Sequence, residues 1–445
     1  MKILLISSSA RGHAIADALS RSPQRPEIIS VCPARNPGIR ALASEQIITD
    51  IMNLDGVLYI AKKVNPDLAI IGPDDPIGAG LADVLEDAGI PTVAPLKSLA
   101  RIESSKGFTR KLLAKHGIDA SPQFKVFRSN QGSDMYKFIE QIGGEFVVKY
   151  DALKGGKGVK VSGEHVHSID EGVAYAKECV AECGQVVIEE KLIGIEFSLL
   201  SFVSGTQVVD MPAVQDHKRA YEGDTGPNTG GMGTYSDENH SLPFLSPEDL
   251  LRAKELNRLT AQALMDECST PFKGILYGGF IVVKDGIRLI EYNARFGDPE
   301  ALNILPLLSS DFVEICQGIL HGDLHQEMVS FQHKATVCKY ITPKSYPQGK
   351  EEKGQIVRFP PMPANARLFF GDISEDENGT LHLGGSRTAG IVGIADTLTE
   401  AESIAQSLCE QVEGPVRFRA DIGTKELIEQ RVTTVKHLRP TKKTI

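Results

Sequence analysis

The amino-acid sequence predicts an α/β protein that begins with a doubly wound parallel sheet and ends in a small mixed α+β domain. In the first hundred residues, short apolar runs at 3–6, 28–31 and 68–71 alternate with helical stretches. This is the pattern of a parallel sheet with helices on both faces. A chain of 445 residues is too long for one simple core and indicates about three domains. From about residue 330 the pattern changes to short strands and turns.

The composition excludes several classes of protein. Hydrophobic residues make up 41% and charged residues 24% of the chain, which is typical of a globular protein. The net charge of −10 argues against a nucleic-acid partner, because phosphate backbones require clustered Lys and Arg. No apolar run approaches the roughly 20 residues that span a bilayer, so we expect no membrane partner. The seven cysteines are scattered, and we expect them to be reduced in the cytoplasm.

Three loops of the first domain are candidate binding loops. Ligands bind at the carboxyl ends of the strands in such a sheet, and polar or glycine-containing turns follow each apolar run. The candidates in these turns are Arg11, His13, Asn36, Gly72, Pro73 and Asp74. The segment 7–12 lacks the G-x-G-x-x-G spacing, which argues against a dinucleotide site.

A hairpin rich in glycine and lysine follows. Ser104 is expected to cap a helix that runs to about His116, and strands at 146–149 and 159–161 flank the hairpin loop. The loop consists of Lys154, Gly155, Gly156, Lys157 and Gly158. Glycines let the backbone approach a phosphate and lysines add positive charge, although the same composition is typical of a solvated turn. The spacing is not that of a Walker A loop.

The strand at 186–190 ends in two carboxylates, Glu189 and Glu190, with Leu192 and Glu196 shortly after them. This arrangement suits a purine nucleoside, since backbone groups can contact the adenine edge and a carboxylate can accept from the ribose hydroxyls. Either glutamate equally suits a solvated strand end, so the sequence leaves both interpretations open.

The segment from Gln215 to Gly233 is the most informative part of the chain. It starts with three charged side chains, a histidine and an amide at 215–219 and continues through a glycine-rich run at 223–233. Glycine loses more backbone freedom on ordering than any other residue, which predicts a loop that brings backbone N–H groups against a ligand. A flexible surface loop is the alternative, but long structured loops in compact domains are usually sites.

Candidate metal and anion ligands follow at the end of a strand at 287–293. Glu291 and Asn293 share one face of that strand and offer the hard oxygen ligands that suit Mg²⁺. Such a pair is also common on an exposed strand edge. Arg295 can hold a carboxylate or a phosphoryl group bidentately, and a surface ion pair with Asp298 or Glu300 is the alternative.

In this order, the elements resemble the ATP-grasp superfamily, and more specifically the phosphoribosylamine–glycine ligase family, over nearly the whole chain. The segments 215–219, 223–233 and 291–300 carry the resemblance. Further matches are Gly72-Pro73, Ser105-Lys106-x-Phe108, Val147-Val148-Lys149 and Asp421-Ile422-Gly423. The residues at 36–39 and 213–215 are closer to the archaeal branch of the family.

The resemblance implies an N-terminal α/β domain at 1–104 on the phosphoribosylamine side, an ATP-grasp domain at 105–329 with a flap at about 120–192, and a C-terminal domain at 330–445. It implies that ATP, glycine and 5-phosphoribosylamine give glycinamide ribonucleotide, ADP and phosphate through glycyl phosphate, with Mg²⁺ or Mn²⁺ as the cofactor. A cytoplasmic enzyme that is a monomer or a weak homodimer is expected.

The resemblance also implies roles for single residues. Lys106 and Lys149 would contact the ATP phosphates beneath the 154–158 flap. Asp216, Lys149 and Arg295 would be catalytic, with Arg295 on the transferring phosphoryl group. The adenosine side would consist of Glu189, Glu190, Leu192 and Glu196, and the metal ligands would be Glu291 and Asn293. Besides the N-terminal loops, the substrates would contact Asp216, Lys218, Asp224, Pro227, Asn228, Thr229, Gly230, Gly231, Met232, Arg295, Asp298 and Glu300.

Two departures from the family pattern lie in the first domain. The family's first loop is nearly all glycine followed by Arg-Glu-His, whereas this chain has serines at 7–9 and Gly12 in place of the glutamate. The family's Gly-Pro-Glu is Gly72-Pro73-Asp74 here. An ATP-grasp relative that uses another amine or carboxylate is therefore a rival hypothesis. A non-catalytic nucleotide-binding protein is a third, but it predicts loss of the phosphate and metal groups, which are present.

Overall fold

The computed structural model describes residues 1–128, 132–154 and 158–440. Its first part is a five-stranded parallel sheet in the order β3-β2-β1-β4-β5. The elements of this part are β1 (Lys2–Ile6), α1 (Ala10–Ser20), β2 (Glu27–Cys32), α2 (Pro37–Leu42), β3 (Glu45–Ile48), α3 (Leu54–Val64), β4 (Leu68–Ile71), α4 (Asp74–Ala79), α5 (Leu81–Asp87), β5 (Thr92–Val93) and α6 (Lys97–Ser104). Because the strand order turns at β1, the loops that follow β1 and β4 lie side by side. The predicted doubly wound domain is confirmed.

The second sheet has four antiparallel strands in the order β6-β9-β7-β8. Helices pack on it through a small core that includes Met135, Phe146 and Val173. The elements here are α7 (Lys106–Lys115), β6 (Phe124–Phe127), α8 (Gly132–Gln141), β7 (Phe146–Tyr150), β8 (Val159–Val161), α9 (Ile169–Cys183) and β9 (Val186–Glu190). Three candidate phosphate ligands, Gly155, Gly156 and Lys157, lie outside the described residues.

Helix α7 begins one residue later than the sequence predicts. Ser104 is the last residue of α6, and Ser105 is the N-cap of α7. The Ser105 Oγ accepts from the Phe108 backbone N–H at 3.0 Å, and the Asp151 carboxylate accepts from the Gly107 N–H at 2.7 Å. Both serines can cap a helix. The extended backbone of Ser105, with φ −137° and ψ 107°, is what separates the two helices.

The third sheet is also antiparallel, in the order β11-β10-β16-β17, and the 22-residue helix α10 packs on it. The elements from this region are β10 (Ile195–Ser204), β11 (Gln207–Asp210), β12 (Gln215–Asp216), β13 (Arg219–Tyr221), β14 (Thr225–Asn228), β15 (Gly233–Ser236), α10 (Pro247–Cys268), β16 (Lys273–Val283), β17 (Gly286–Asn293), α11 (Glu300–Ile304) and α12 (Phe312–His321). Strand β17 ends at the predicted metal ligand Asn293.

The C-terminal part builds a sheet in the order β12-β15-β18-β22-β19, in which β23 also pairs with β18. Its own elements are β18 (Ala335–Pro343), β19 (Ala366–Phe370), β20 (Ile373–Glu375), β21 (Leu381–Leu383), β22 (Ala389–Ala395), α13 (Leu398–Glu410), β23 (Val416–Arg417) and α14 (Lys425–Leu438). Strands β12 and β15 come from the glycine-rich segment. That segment is therefore held between the third sheet and the C-terminal part.

The C-terminal helix is longer than the sequence predicts. A helix near 424–431 and a frayed tail from Lys436 are expected, but α14 continues to Leu438. The Arg439 side chain anchors it, donating to the Val283 carbonyl at 2.7 Å and to the Asp249 carboxylate at 2.8 Å. Composition alone does not reveal these distant acceptors.

One hydrophobic cluster joins the three parts of the chain. It contains Leu5 of β1, Phe202 of β10, Phe296 after β17 and Tyr340 of β18. Because the parts share this cluster, the loops that meet above it are held at fixed relative positions. None of the described helices has the length and apolar character that crossing a bilayer requires.

Candidate active site

A narrow cleft lies beside the strands that carry the predicted phosphate and metal ligands. Its lining includes Glu196, Asp216, Lys218, Tyr277 and Glu291. These residues belong to β10, to β12 and the turn after it, and to β16 and β17. The structure therefore brings candidates that are far apart in sequence to one place.

Glu291 lines this cleft and forms an ion pair with Lys106. Lys106 is the first residue of α7, and its Nζ lies 2.8 Å from the Glu291 Oε2. Burial opposes ionisation of Glu291, but the positive charges of Lys106 and Lys218 outweigh it, and the pKa of the Glu291 carboxyl is lowered. Glu291 is therefore an ionised carboxylate at neutral pH.

Lys149, Arg110 and Glu189 form a buried ion-pair cluster behind Glu291. The Glu189 carboxylate lies 2.6 Å from the Arg110 Nε and 2.7 Å from the Lys149 Nζ, and only 2% of its side chain is exposed. Burial alone would raise the pKa of Glu189, but the two cations lower it by a larger amount, and the resulting pKa is about 2. Lys149 and Arg110 also donate to the Ile290 carbonyl at 3.1 and 2.8 Å.

The other three candidates of the adenosine side line the segment between β9 and β10. The Glu190 carboxylate accepts from the Gln123 backbone and side chain, both at 3.0 Å. Leu192 is half-buried, next to the exposed Ile193. The Glu196 carboxylate lies 3.1 Å from the Lys218 Nζ, and this contact is the main reason that the pKa of Lys218 is raised. Lys154, at the near end of the hairpin loop, pairs with Glu182 at 3.2 Å, and Gly158 immediately precedes β8.

Arg295 is fixed by two acceptors next to the metal strand. Its Nη2 lies 2.8 Å from the Glu103 Oε1 and donates to the Asn293 Oδ1 at 3.2 Å. Glu103 is buried in α6, and its other oxygen accepts from the Ala294 N–H at 2.8 Å. The predicted alternative, a surface ion pair of Arg295 with Asp298 or Glu300, is not formed among the described ion pairs.

Asp216 lines the cleft, and the buried carboxylate of Glu300 is its neighbour. The Glu300 Oε1 accepts from the Tyr277 hydroxyl at 2.9 Å, and that hydroxyl lies 2.6 Å from the Ser198 Oγ. Burial and the neighbouring Glu300 carboxylate raise the pKa of Asp216 well above its usual range, against the lowering effect of Lys218. A pair of carboxylates in this setting favours an approaching cation such as an ammonium group.

The turn at Thr229–Met232 is tightly packed against the cleft. Thr229 donates through its N–H and its hydroxyl to the Lys218 carbonyl, and its Oγ1 accepts from the Gly231 N–H at 3.0 Å. Gly231 has φ +112°, and a Cβ there would lie 2.6 Å from the Asp216 Oδ1. The Arg387 Nη1 reaches this turn from the C-terminal part, 2.8 Å from the Gly230 carbonyl. Met232 is fully buried.

The first half of the glycine-rich segment faces the C-terminal part. The Asp224 carboxylate pairs with Arg419 at 3.0 Å and with Arg431, and Arg419 is fully buried. Pro227 and Asn228 belong to the hairpin strand β14, where Asn228 is exposed. Asp224 thus holds the segment against its neighbours, and the structure places it apart from the lining of the cleft.

The N-terminal loops meet the Arg295–Glu300 loop. The Arg11 Nη1 donates to the Phe296 carbonyl at 2.7 Å, and the Arg11 N–H donates to Asp298 at 3.3 Å. Burial opposes ionisation of Asp74, but Arg295 and Arg11 outweigh it and lower the pKa of the Asp74 carboxyl. Gly72, followed by Pro73, packs on Ser7, since a Cβ at Gly72 would lie 2.4 Å from the Ser7 Oγ.

His13 and Asn36 connect the same loops to the C-terminal part. The Phe370 N–H donates to the His13 Nδ1 at 2.9 Å, and the Asn36 Nδ2 donates to the Phe370 carbonyl at 2.7 Å. The Asn36 Oδ1 also caps α2. Burial lowers the pKa of His13 to about 4, so His13 is neutral at pH 7 and adds no positive charge to this region.

Glu291 and Asn293 fit a divalent cation. Each offers a hard oxygen from the same face of β17. The Lys106 contact uses only one of the two Glu291 oxygens, and the Asn293 Oδ1, which accepts from Arg295, keeps a second lone pair. Among the described residues, no group of three or more His, Cys, Asp or Glu side chains is arranged to hold a metal ion. Phosphate oxygens would therefore complete the coordination, as Mg²⁺ prefers.

Most of the charged residues in and around this cleft are sequence candidates, but the residues that orient them are not. Glu103, Arg110, Tyr277 and Arg387 are not among the sequence candidates. Arg110 has a recognisable signal, because it lies four residues after Lys106 on the same helix face. The other three come from elements without a motif, and only tertiary contacts reveal them.

Comparisons with known proteins agree with this architecture. The models of the phosphoribosylglycinamide synthetase family match in chain order: the N domain at 1–103, the ATP-grasp (A) domain at 104–301 and the C domain at 336–425. The phosphoribosylamine–glycine ligase of the archaeon Methanococcus vannielii is 45% identical over 451 aligned positions, which cover 98% of this chain and 100% of that protein. The similarity to the archaeal branch is confirmed.

Solved structures show the same fold. The crystal structure of phosphoribosylamine–glycine ligase from Thermotoga maritima has a TM-score of 0.79 and 27% identity, covering 95% of this chain and 100% of that one. The biotin carboxylase domain of the Hydrogenobacter thermophilus 2-oxoglutarate carboxylase has a TM-score of 0.73 at 14% identity, covering 98% and 93%, and shares the fold alone. The predicted ATP-grasp architecture is confirmed, and the chain belongs to the phosphoribosylglycinamide synthetase family.

Proposed function

We propose that this protein is an ATP-dependent ligase that joins glycine to 5-phosphoribosylamine, giving glycinamide ribonucleotide, ADP and phosphate in purine biosynthesis. Relatives that match over nearly the whole chain carry the name phosphoribosylamine–glycine ligase. The structural observation that carries the proposal is the convergence of Lys106, Glu291, Asn293 and Arg295 beside the Asp216–Glu300 pair. One cleft therefore offers groups for a triphosphate and for an amino acid.

The chemistry explains why these groups are needed together. A carboxylate is a poor acyl donor, because its leaving group would be oxide. In the first step a glycine carboxylate oxygen bonds to the γ-phosphorus, and the bond to the bridging oxygen breaks with its electron pair on ADP. In the second step the amine nitrogen bonds to the glycyl carbonyl carbon, phosphate leaves with the C–O electron pair, and the nitrogen loses a proton. Phosphoryl transfer depends on positioning and charge neutralisation more than on a protein nucleophile.

We assign the phosphate side to Lys106, Lys149 and Arg295. Lys106 and Lys149 are held by Glu291 and Glu189 in positions that point toward the end of β17. A divalent cation, Mg²⁺ or Mn²⁺, bound by Glu291 and Asn293 would neutralise phosphate charge. Arg295, oriented by Glu103, stabilises the oxygens of the transferring phosphoryl group.

We assign the glycine side to Asp216 and Glu300, with the turn at Thr229–Met232 closing over it. Burial and, after it, the neighbouring Glu300 carboxylate raise the pKa of Asp216, and an ammonium group bound beside the pair would stabilise the ionised carboxylates. The assignment of Glu190, Leu192 and Glu196 to adenosine rests on their position between the second and third sheets. A cytoplasmic location stays a prediction.

ADP release with defined substrates tests the proposal. We expect release that requires glycine, 5-phosphoribosylamine and Mg²⁺ together, because the acyl phosphate needs both an acid and an acceptor. The rival ATP-grasp ligase with another amine predicts release that 5-phosphoribosylamine does not stimulate, while a second amine does. The altered first loop at Ser7–Gly12 is the observation in favour of that rival.

A further inference from the structure

Two arginine side chains from different parts of the chain meet at one carbonyl oxygen. The Arg11 Nη1 lies 2.7 Å from the Phe296 O, and the Arg295 Nη1 lies 3.2 Å from the same atom. Arg11 comes from the first turn of α1, whereas Arg295 follows β17. Because both guanidinium groups bond to one atom, two positive charges lie side by side in a buried place. Like charges in such a place repel strongly unless a negative charge is nearby.

Among the described residues, only one of the two guanidinium groups has a carboxylate within ion-pair distance. Glu103 pairs with Arg295 at 2.8 Å, whereas no carboxylate of the described ranges forms an ion pair with the Arg11 guanidinium. Asp298 accepts from the Arg11 backbone N–H, and the Asp298 and Asp74 carboxylates act on the Arg11 guanidinium only from beyond ion-pair distance. Arg11 is nevertheless only 8% exposed.

Each of the two guanidinium groups also has one N–H donor without a partner among the described groups. The Nε–H of Arg11 and the Nε–H of Arg295 are buried and have no hydrogen-bond partner among the described groups. A buried unpaired N–H of a charged group costs free energy. Two such donors on adjacent guanidiniums are the arrangement that binds an oxyanion, since planar guanidinium groups match phosphoryl oxygens.

We propose that Arg11 is a catalytic residue that acts together with Arg295 on the phosphoryl group transferred from ATP to glycine. This inference rests on the proposed function. It assigns Arg11 to the phosphoryl group that reacts, whereas the family resemblance implies a contact with the phosphoribosylamine substrate. In that transfer the glycine oxygen–phosphorus bond forms as the bond to the ADP oxygen breaks, and no other reactant is required. The charge is spread over three phosphoryl oxygens, so a second guanidinium contributes directly.

The position of the arginine pair favours the transferring phosphoryl group. The Arg295 Nη2 donates to the Asn293 Oδ1 at 3.2 Å, which ties the pair to the metal strand. Two other polar side chains of the N-terminal loops, His13 and Asn36, are directed elsewhere, because both are engaged with Phe370. Arg11 thus belongs geometrically to the ATP side, although its helix belongs to the first domain.

Steady-state kinetics of ADP release by Arg11→Met and Arg11→Lys test this inference, with 5-phosphoribosylamine generated in situ from ribose 5-phosphate and ammonia. We expect Arg11→Met to lower kcat about 100-fold, with the KM for 5-phosphoribosylamine changed less than about threefold. Arg11→Lys should recover about tenfold of the lost kcat, because it keeps the charge without the planar fork.

Arg21→Met is the matched control. Arg21 lies on the same helix and also donates to two carbonyls of the central part, those of Leu305 at 2.7 Å and Leu308 at 3.3 Å. Arg21 is not among the residues that line the cleft. Its kcat should stay within about twofold of the parent protein, and the thermal midpoints of all variants report folding.

Each outcome decides the inference. A raised KM for 5-phosphoribosylamine with an unchanged kcat would place Arg11 on the ribosyl phosphate and overturn it. An equal loss of kcat in Arg21→Met would reduce Arg11 to a structural contact. If Arg11→Met does not fold, the comparison of kcat with the KM for 5-phosphoribosylamine in Arg11→Lys decides. A parent protein that releases no ADP with these substrates contradicts the proposed function instead, which is a separate result.

Discussion

Ser7 shows how one residue of the first loop constrains two others. A Cβ at Gly12 would lie 2.5 Å from the Ser7 Oγ, and a Cβ at Gly72 would lie 2.4 Å from the same atom. The Ser7 side chain therefore occupies the space that larger residues at 12 and 72 would need. Two changes in this loop relative to the family, serine at position 7 and glycine instead of glutamate at position 12, therefore fit each other sterically.

Glu291 is the residue on which the metal assignment depends. Glu291→Gln removes the charge and keeps the volume, so we expect turnover to fall by about 1,000-fold or more. Loss of the Lys106 ion pair should lower the thermal midpoint, but the unfolding transition should stay cooperative, which shows that the fold is retained. The control is Glu267→Gln, which removes an ion pair with Lys115 away from the cleft and should leave turnover unchanged. Normal activity of Glu291→Gln would remove Glu291 from the mechanism.

His13 makes stability depend on pH. Burial lowers its pKa from 6.5 to about 4 in the folded protein, so the unfolded chain binds the proton first as the pH falls. The contribution of neutral His13 is complete above pH 6.5 and is lost as the pH approaches 4. Between pH 7 and pH 5 we expect the parent protein to lose about 2 kcal/mol more unfolding free energy than His13→Gln. Urea unfolding at both pH values measures this, and equal losses would contradict it.

The shape of the glycine-rich segment depends on backbone conformations that residues with a side chain disfavour. At Gly231 (φ +112°) an added Cβ would lie 2.6 Å from the Asp216 Oδ1 and 2.7 Å from the Pro299 Cδ. At Gly223 (φ +68°) an added Cβ meets nothing within 4 Å. The two positions separate the effect of backbone strain from the effect of collision.

Gly231→Ala should therefore lower turnover much more than Gly223→Ala. Both variants share a backbone cost of about 1 kcal/mol, but only Gly231→Ala displaces Asp216. We expect kcat for ADP release to fall at least about tenfold in Gly231→Ala and to stay near the parent value in Gly223→Ala. A similar loss in both variants would mean that loop stiffness matters and the position of Asp216 does not.

Elements with clear periodicity were predictable from the sequence, and elements that end by tertiary contact were not. The predicted strands at 68–71 and 159–161 coincide with β4 and β8. The start of α7 was wrong by one residue because Ser104 and Ser105 are equally good caps. The end of α14 was wrong because its anchor, Asp249, is 190 residues away from Arg439.

The candidate site divides in the same way. Lys106, Lys149, Glu291, Asn293 and Arg295 were recognisable because each lies in a short run with a chemical pattern. Their partners Glu103, Glu189 and Arg110 set the position of these groups, and a side chain's partner depends on packing that no local pattern encodes. The sequence placed Glu189 on the adenosine side, and the structure gives it two cationic partners.

At the scale of the whole molecule, Asp298 joins the three parts of the chain. Its carboxylate accepts from the Arg11 N–H of the first part at 3.3 Å and from the Tyr340 hydroxyl of the C-terminal part at 2.6 Å. The Arg387 Nη2 lies 3.4 Å from the same carboxylate. The cleft is therefore complete only when all three parts are docked.

Asp298→Asn should weaken this docking. The amide keeps the volume and an acceptor but leaves Arg387 without its counter-charge, so we expect a loss of about 3 kcal/mol in unfolding free energy. Glu375→Gln, which breaks the exposed Arg40–Glu375 pair between the first and C-terminal parts, should cost less than about 1 kcal/mol. Equal losses in urea unfolding would show that Asp298 has no special role in assembly.

The central claim is that glycine is activated by phosphoryl transfer in this cleft. Glycine labelled with ¹⁸O in its carboxylate, turned over with ATP and 5-phosphoribosylamine, tests it directly by mass spectrometry of the released phosphate. Attack of the carboxylate on the γ-phosphorus moves one labelled oxygen per turnover into inorganic phosphate, and we expect that transfer. Product formation with unlabelled phosphate would contradict the account, because the acid would then have been activated without an acyl phosphate.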